Sequence, residues 1–235
     1  MSTVLMEKGQ ASTKPTQKFY RLVEHVKELN KIGKAFYEKK LSLITEGKDL
    51  SKEEERQYDL TCMEGHCIDH FFGAEGYRTY GMIAEFCKTN GIERVFDIGC
   101  AYGHQSECFL QEGIDYVGVN TNKIDFWNAD RFEYVTGHYP CELPTKKNDL
   151  AVSVLALTWN CYLYEKEETL KQQCEALHRD FEHCLLYLTE GAMQYLSQYF
   201  KKVEKLDRDL YYFSNKEEVI MNNDNNIKLV GTLGG

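Results

Sequence analysis

The sequence predicts an α/β fold, a mostly parallel sheet with helices on both faces, preceded by a helical extension. Three observations carry that prediction. From residue 94 onward, short apolar runs alternate with helix-length amphipathic stretches, the rhythm of strands and crossover helices. The first run, Arg94-Val95-Phe96-Asp97-Ile98, ends in a glycine-rich turn that leads into a helical stretch. Ahead of it, apolar residues recur at helical rather than strand spacing.

Residues 1–16 mix Gly, Ser, Thr and Pro without periodicity and are expected to form a mobile tail. From Gln17 to about Ile44, Phe19, Leu22, Val26, Leu29 and Phe36 recur at the spacing of one helix face. The stretch from Lys18 to Lys48 holds eight Lys or Arg against four Glu, so the polar side of this helix is basic. Packing onto the chain's own core is the favoured role for its apolar side, with a homodimer seam or a protein partner at residues 17–44 as the alternative.

Ser51, followed three residues later by Glu54, predicts a capping box and a second helix. Residues 77–89 predict a third helix, closed at Asn90-Gly91, where glycine accepts the left-handed conformation that ends a helix. Beyond Arg94–Ile98 the expected elements are a helix at His104–Gln111 and strands at Tyr116–Asn120, Phe132–Thr136 and Leu150–Leu157. A helix at Glu165–Arg179 and a strand at Cys184–Thr189 follow. The expected organisation is a tail (1–16), a helical extension or cap (17–90) and an α/β domain (91–235).

Composition narrows the function classes. At 235 residues, 43% hydrophobic and 28% charged, the chain suits one packed domain. A net charge of −9 argues against nucleic acid as an extended partner, because phosphate contacts need a basic surface. No secretory signal pattern opens the chain, and no stretch is long and apolar enough to span a bilayer. Nine cysteines without framework spacing suit a reducing, cytoplasmic compartment better than a disulfide scaffold. Cys62, His66 and His70 recur every four residues on one probable helix, but structural zinc usually draws on two separated pairs of ligands, so no metal is expected there.

The chemistry concentrates after the first strand. Small residues in the Gly99–Gly103 turn let a ligand approach the backbone, and the following helix offers free amides. About twenty residues later, the strand ending at Val119 is followed by the polar pair Asn120-Thr121. In open α/β sheets ligands sit beyond the carboxyl ends of the strands, so turn and pair are expected to share one crevice suited to a ribose-bearing ligand.

Asp97-Ile98-Gly99-Cys100-Ala101-Tyr102-Gly103 resembles the first motif of the class I S-adenosylmethionine-dependent methyltransferases, and the likeness runs from about Gly91 to the C-terminus in the order of its elements. It extends to the closing helix and antiparallel strands expected over Tyr195–Ser214. The resemblance implies a Rossmann-like domain with S-adenosylmethionine as cofactor. Asp97, Gly99, Cys100, Ala101, Tyr102, Gly103, Asn120 and Thr121 would then contact it, the turn around its amino-acid part and ribose and Asn120 at the ribose hydroxyls.

In that family the loop after the fourth strand faces the methyl acceptor. Thr158, Trp159, Asn160 and Tyr162 stand there, and His138 follows the third strand. The run typical of base-methylating members, an Asn or Asp with prolines or a proline and an aromatic, is missing from Thr158-Trp159-Asn160-Cys161. That leaves a small molecule or a protein as acceptor. Tyr77–Tyr80 precedes the first motif, where the family often closes over the pocket, but core or surface packing is the favoured role for this segment. Two departures stand out: Ala101 replaces the middle glycine of the turn, and Asn120 replaces a carboxylate, with weaker ribose binding as the expected result. The second departure supports an alternative, a catalytically inactive protein of the same fold that engages a protein partner.

Overall fold

The computed structural model describes residues 20–73, 76–121, 130–154, 156–157 and 167–215. Three helices, α1 (Tyr20–Thr45), α2 (Lys52–Gly73) and α3 (Gly76–Thr89), precede β1 (Arg94–Ile98), α4 (Ser106–Leu110), β2 (Asp115–Asn120), β3 (Glu133–Thr136) and β4 (Leu150–Val154). Then come α5 (Glu167–Asp180), β5 (His183–Tyr187), α6 (Glu190–Leu196), β6 (Lys202–Lys205) and β7 (Leu210–Ser214). The seven strands form one sheet in the order β3-β2-β1-β4-β5-β7-β6. β7 runs antiparallel to both of its neighbours, while the other pairings are parallel. This is the α/β sheet the sequence predicts, and its order reverses beside β1, between β1 and β4.

Local sequence explains the helix ends. At the start of α2 the Ser51 amide donates to Glu54 Oε2 (3.0 Å) and the Glu54 amide donates to Ser51 Oγ (3.3 Å), the reciprocal capping box. At the end of α3, Gly91 has φ +64°, the Ile92 amide donates to the Cys87 carbonyl and the Gly91 amide to that of Lys88. Those two bonds satisfy carbonyls that the helix itself leaves open.

Consecutive strand residues face opposite sides of the sheet, so each strand feeds two cores. Val95, Tyr116, Val152, Leu185 and Tyr212 join one cluster with Ile83 and Cys87 of α3 and Phe109 of α4. Phe96, Val117, Ala151, Leu186 and Phe213 join the other, with Leu170 and Leu177 of α5 and Leu196 of α6. Helices therefore cover both faces. The helical extension belongs to the first cluster: Leu22 of α1 is fully buried there beside Ile68 of α2, with Val26 and Leu29 packed against it. α1 thus packs on the chain's own core, through the face its periodicity marks.

Two boundaries differ from expectation. β4 ends at Val154 rather than Leu157 because Ser153 Oγ donates to the Ile98 carbonyl (3.0 Å) and accepts from the Leu157 amide (3.2 Å), turning the chain off the ladder. α4 begins at Ser106 because His104 and Gln105 belong to the turn. Among the described residues, no helix is long and apolar enough to cross a membrane.

Candidate functional site

The site is built where β1 and β2 end. The amides of Gly99 and Cys100 both donate to the Val119 carbonyl (2.8 and 3.2 Å), which stitches the turn to the last residues of β2. Gly99 (φ +84°) and Gly103 (φ +76°) adopt the left-handed conformation, as does Ala101 (φ +47°), where a side chain is tolerated at a cost. Gly99 is also sterically required, since a Cβ there would lie 2.1 Å from the Cβ of Ala156, just after β4.

The residues assigned from sequence divide into two groups. Gly99 and Thr121 are exposed, and Ala101 and Asn120 are half-buried, so these four form a lip at the carboxyl ends of β1 and β2. Cys100, Tyr102 and Gly103 are buried. Cys100 sits against β2, its Sγ 2.9 Å from where a Cβ on Gly118 would stand, and burial pushes its thiol well above the ordinary range. Tyr102 points toward the helical extension, its hydroxyl donating to the Leu60 carbonyl of α2 (3.4 Å). His138, after β3, is exposed. Thr158, Trp159, Asn160 and Tyr162 lie outside the described residues, as does the side chain of His70.

Asp97 occupies the centre of this framework and is fully buried. Its Oδ2 accepts hydrogen bonds from Gln105 Nε2 and the Tyr116 hydroxyl, both at 2.6 Å. Burial pushes the carboxyl up to about 6, against the opposing pull of the bonds from Tyr116, Gln105 and Tyr80. Oδ1 is buried and has no hydrogen-bond partner among the described residues. Gln105 also donates to the Cys100 carbonyl (2.9 Å), so one amide group holds both the acid and the turn. The strand-turn-helix pattern marks Asp97, but not Gln105, Tyr116 and Tyr80, whose roles depend on the packing of three separate elements. Tyr80 is buried in the first core cluster, the packing role favoured for its segment.

A cavity of about 690 Å³ opens at the other end of the sheet, lined by Arg94, Asp115, Tyr116, Arg131, Lys146 and Asp149. Within it Arg94 makes a two-pronged contact to Asp149 (3.1 and 2.6 Å). Ligands of open α/β sheets bind at the carboxyl ends of the strands, so this hollow is not the candidate crevice.

No protein-family model and no curated protein sequence matches the chain. Solved structures do. Methyltransferases are among them. The bifunctional kinase-methyltransferase WbdD shares 16% identity over 68% of this chain, with a TM-score of 0.49. The chain spans 43% of WbdD. The N-methyltransferase NodS from Bradyrhizobium japonicum shares 14% identity over 63% of this chain and 99% of its own, with a TM-score of 0.49. A TehB-like S-adenosylmethionine-dependent methyltransferase from Corynebacterium glutamicum shares 14% over 58% of this chain and 88% of its own, at 0.46.

A second constellation adjoins the turn. His104, immediately after Gly103, is buried, and its ring stacks on that of Tyr102 (centroids 5.9 Å apart, planes at 13°). Its Nε2 lies 3.2 Å from Glu64 Oε1 of α2, and the same oxygen lies 2.6 Å from His25 Nε2 of α1. Burial acts to raise the Glu64 carboxyl, but the bonds from His104 and His25 outweigh it and hold it down at about 2. Burial in turn lowers His104, favouring its neutral form. These three residues are 39 and 40 positions apart in sequence, and no local pattern announces them. Of the set considered for metal on sequence, Cys62 and His66 are exposed.

Proposed function

We propose that the chain is an S-adenosylmethionine-dependent methyltransferase acting on a small-molecule or protein acceptor. The observation that carries this reading is the stitching of the Gly99–Gly103 turn to Val119, which sets Asn120 beside the turn above a buried acid whose Oδ1 has no partner among the described residues. An unpaired buried carboxylate oxygen suits a ligand bearing a hydrogen-bond donor, such as the ammonium group of an amino acid. Asn120 can accept through its carbonyl and donate through its amide, which suits a pair of ribose hydroxyls. The residues present therefore fit the cofactor.

When bound, S-adenosylmethionine supplies an electrophilic methyl group on a sulfonium. The protein's part is placement: Asp97 and the turn would fix the amino-acid end, Asn120 and Thr121 the ribose, and His138 is assigned to the acceptor, as the resemblance assigns Thr158, Trp159, Asn160 and Tyr162. Proximity and alignment supply most of the acceleration such a transfer needs, so the assignment does not depend on a dedicated acid or base. Calorimetric titration with S-adenosylmethionine, and separately with S-adenosylhomocysteine, tests it. Micromolar binding of both is expected; binding of neither by folded protein removes the reading.

A second reading draws on α1. Tyr37, Leu41 and Ile44 are exposed apolar side chains along one flank of its C-terminal half, and such a strip suits a protein partner. If the chain retained only a binding role, Leu41→Glu would abolish partner capture while the calorimetric titrations showed no cofactor uptake.

A further inference from the structure

We infer that His25, Glu64 and His104 form a binding site for a first-row divalent metal ion of the zinc type. The site stands independently of methyl transfer. The donor atoms, His25 Nε2, Glu64 Oε1 and His104 Nε2, all lie within 4.8 Å of one another, and they converge from α1, α2 and the end of the glycine turn. Two imidazoles and one carboxylate are a donor set that zinc and its neighbours take up with an open position left for water or substrate.

Metal–ligand bonds of about 2.0–2.2 Å in a tetrahedron place neighbouring donors roughly 3.3 Å apart. The His104–Glu64 separation of 3.2 Å is already there, and the His25–Glu64 contact of 2.6 Å must lengthen by less than about 1 Å. In exchange, two hydrogen bonds to one carboxylate oxygen become coordinate bonds, and each imidazole proton moves to Nδ1.

Access and rigidity both fit. The His104 side chain is 3% exposed, fixed by Tyr102 on its face, whereas Glu64 is 16% and His25 27% exposed, so an ion can enter from the helical side and keep a solvent ligand. A bound ion would clamp α1 and α2 to the residue after Gly103, tying the helical extension to the candidate cofactor turn. Cys67 stands three residues beyond Glu64 on α2 and is not among the three residues whose donor atoms converge.

The test uses the full chain stripped with a chelator. Zinc affinity is measured by competition with a chromogenic indicator, and cobalt(II) reports the donors through its visible absorption. The wild type is expected to take up one equivalent with nitrogen–oxygen cobalt bands and no thiolate charge-transfer band. Glu64→Gln keeps a hydrogen-bond acceptor between the two histidines yet is a poor ligand, so it leaves the fold intact and is expected to weaken zinc binding at least about 100-fold. His25→Ala, on a partly exposed helix position, is expected to do the same. No zinc uptake by the wild type, unchanged affinity in folded Glu64→Gln and His25→Ala proteins, or a thiolate band that persists in both variants would overturn the assignment.

Discussion

Gln105 and Asp97, eight residues apart, are joined by a buried hydrogen bond of 2.6 Å that crosses from the start of α4 to the end of β1. The acid it serves is fully buried and ionises at about 6 instead of near 4, because burial penalises the charged form more than its hydrogen bonds favour it. The folded chain therefore holds this proton more tightly than the unfolded chain. Asp97 contributes full stability below about pH 4 and loses it as pH rises through 6, a cost on the order of 3 kcal/mol at neutral pH. Asp97→Asn removes that titration. Urea unfolding from pH 4 to 7.5 should show the stability of the wild type, relative to the variant, falling as pH rises; a difference that stays level across this range contradicts the assignment.

Removing the donor tests the same relationship from the other side. Gln105→Ala leaves both Asp97 Oδ2 and the Cys100 carbonyl short of a partner, and should destabilise the fold by about 1–3 kcal/mol. It should also raise the Asp97 carboxyl further, so the loss of stability in the urea series moves to higher pH. Destabilisation with an unmoved pH midpoint would mean that Gln105 acts only on the turn.

These relationships mark the boundary of what was legible in the sequence. Ser51 and Glu54 announce their capping box, Asn90-Gly91 their helix end, and Val95–Gly103 its strand and turn, because each depends on residues only a few positions apart. The largely parallel sheet covered on both faces follows from the alternation of strand and helix, whereas the order of its strands emerges only in the structure. The surroundings of Asp97 do not follow, since Tyr80, Gln105 and Tyr116 reach it from α3, the turn and β2. The His25–Glu64–His104 group was illegible for the same reason, and the metal spacing considered instead, at Cys62, His66 and His70, placed two of its members on an exposed helix surface. Ser153, an ordinary strand residue by pattern, ended β4 early through bonds to two other segments.

The turn makes a steric prediction that separates two costs. Gly99→Ala must hold a side chain at φ +84° and also push Ala156 away from a 2.1 Å approach. Gly113→Ala meets a similar φ of +73° with nothing within 4 Å. Gly113→Ala should therefore lose about 1–2 kcal/mol, the left-handed cost alone, while Gly99→Ala loses about 1–3 kcal/mol beyond that. Equal losses in thermal or urea unfolding would mean that the segment after β4 yields freely.

Asn120 offers the sharpest test of the cofactor reading, because it asks for a gain. The half-buried residue closes β2 beside the stitched turn, and its backbone carbonyl is engaged by the Gly137 amide (2.8 Å), which anchors its main chain. An amide offers a ribose one acceptor and one donor, whereas a carboxylate accepts from both hydroxyls with the help of its charge. Asn120→Asp should tighten S-adenosylmethionine binding by about 1 kcal/mol, roughly fivefold in the calorimetric Kd, if the ribose lies there. S-adenosylhomocysteine carries the same ribose and should gain by the same factor. A gain confined to S-adenosylmethionine would instead mean that the new charge senses the sulfonium, and unchanged or weaker binding of both would place the ribose elsewhere.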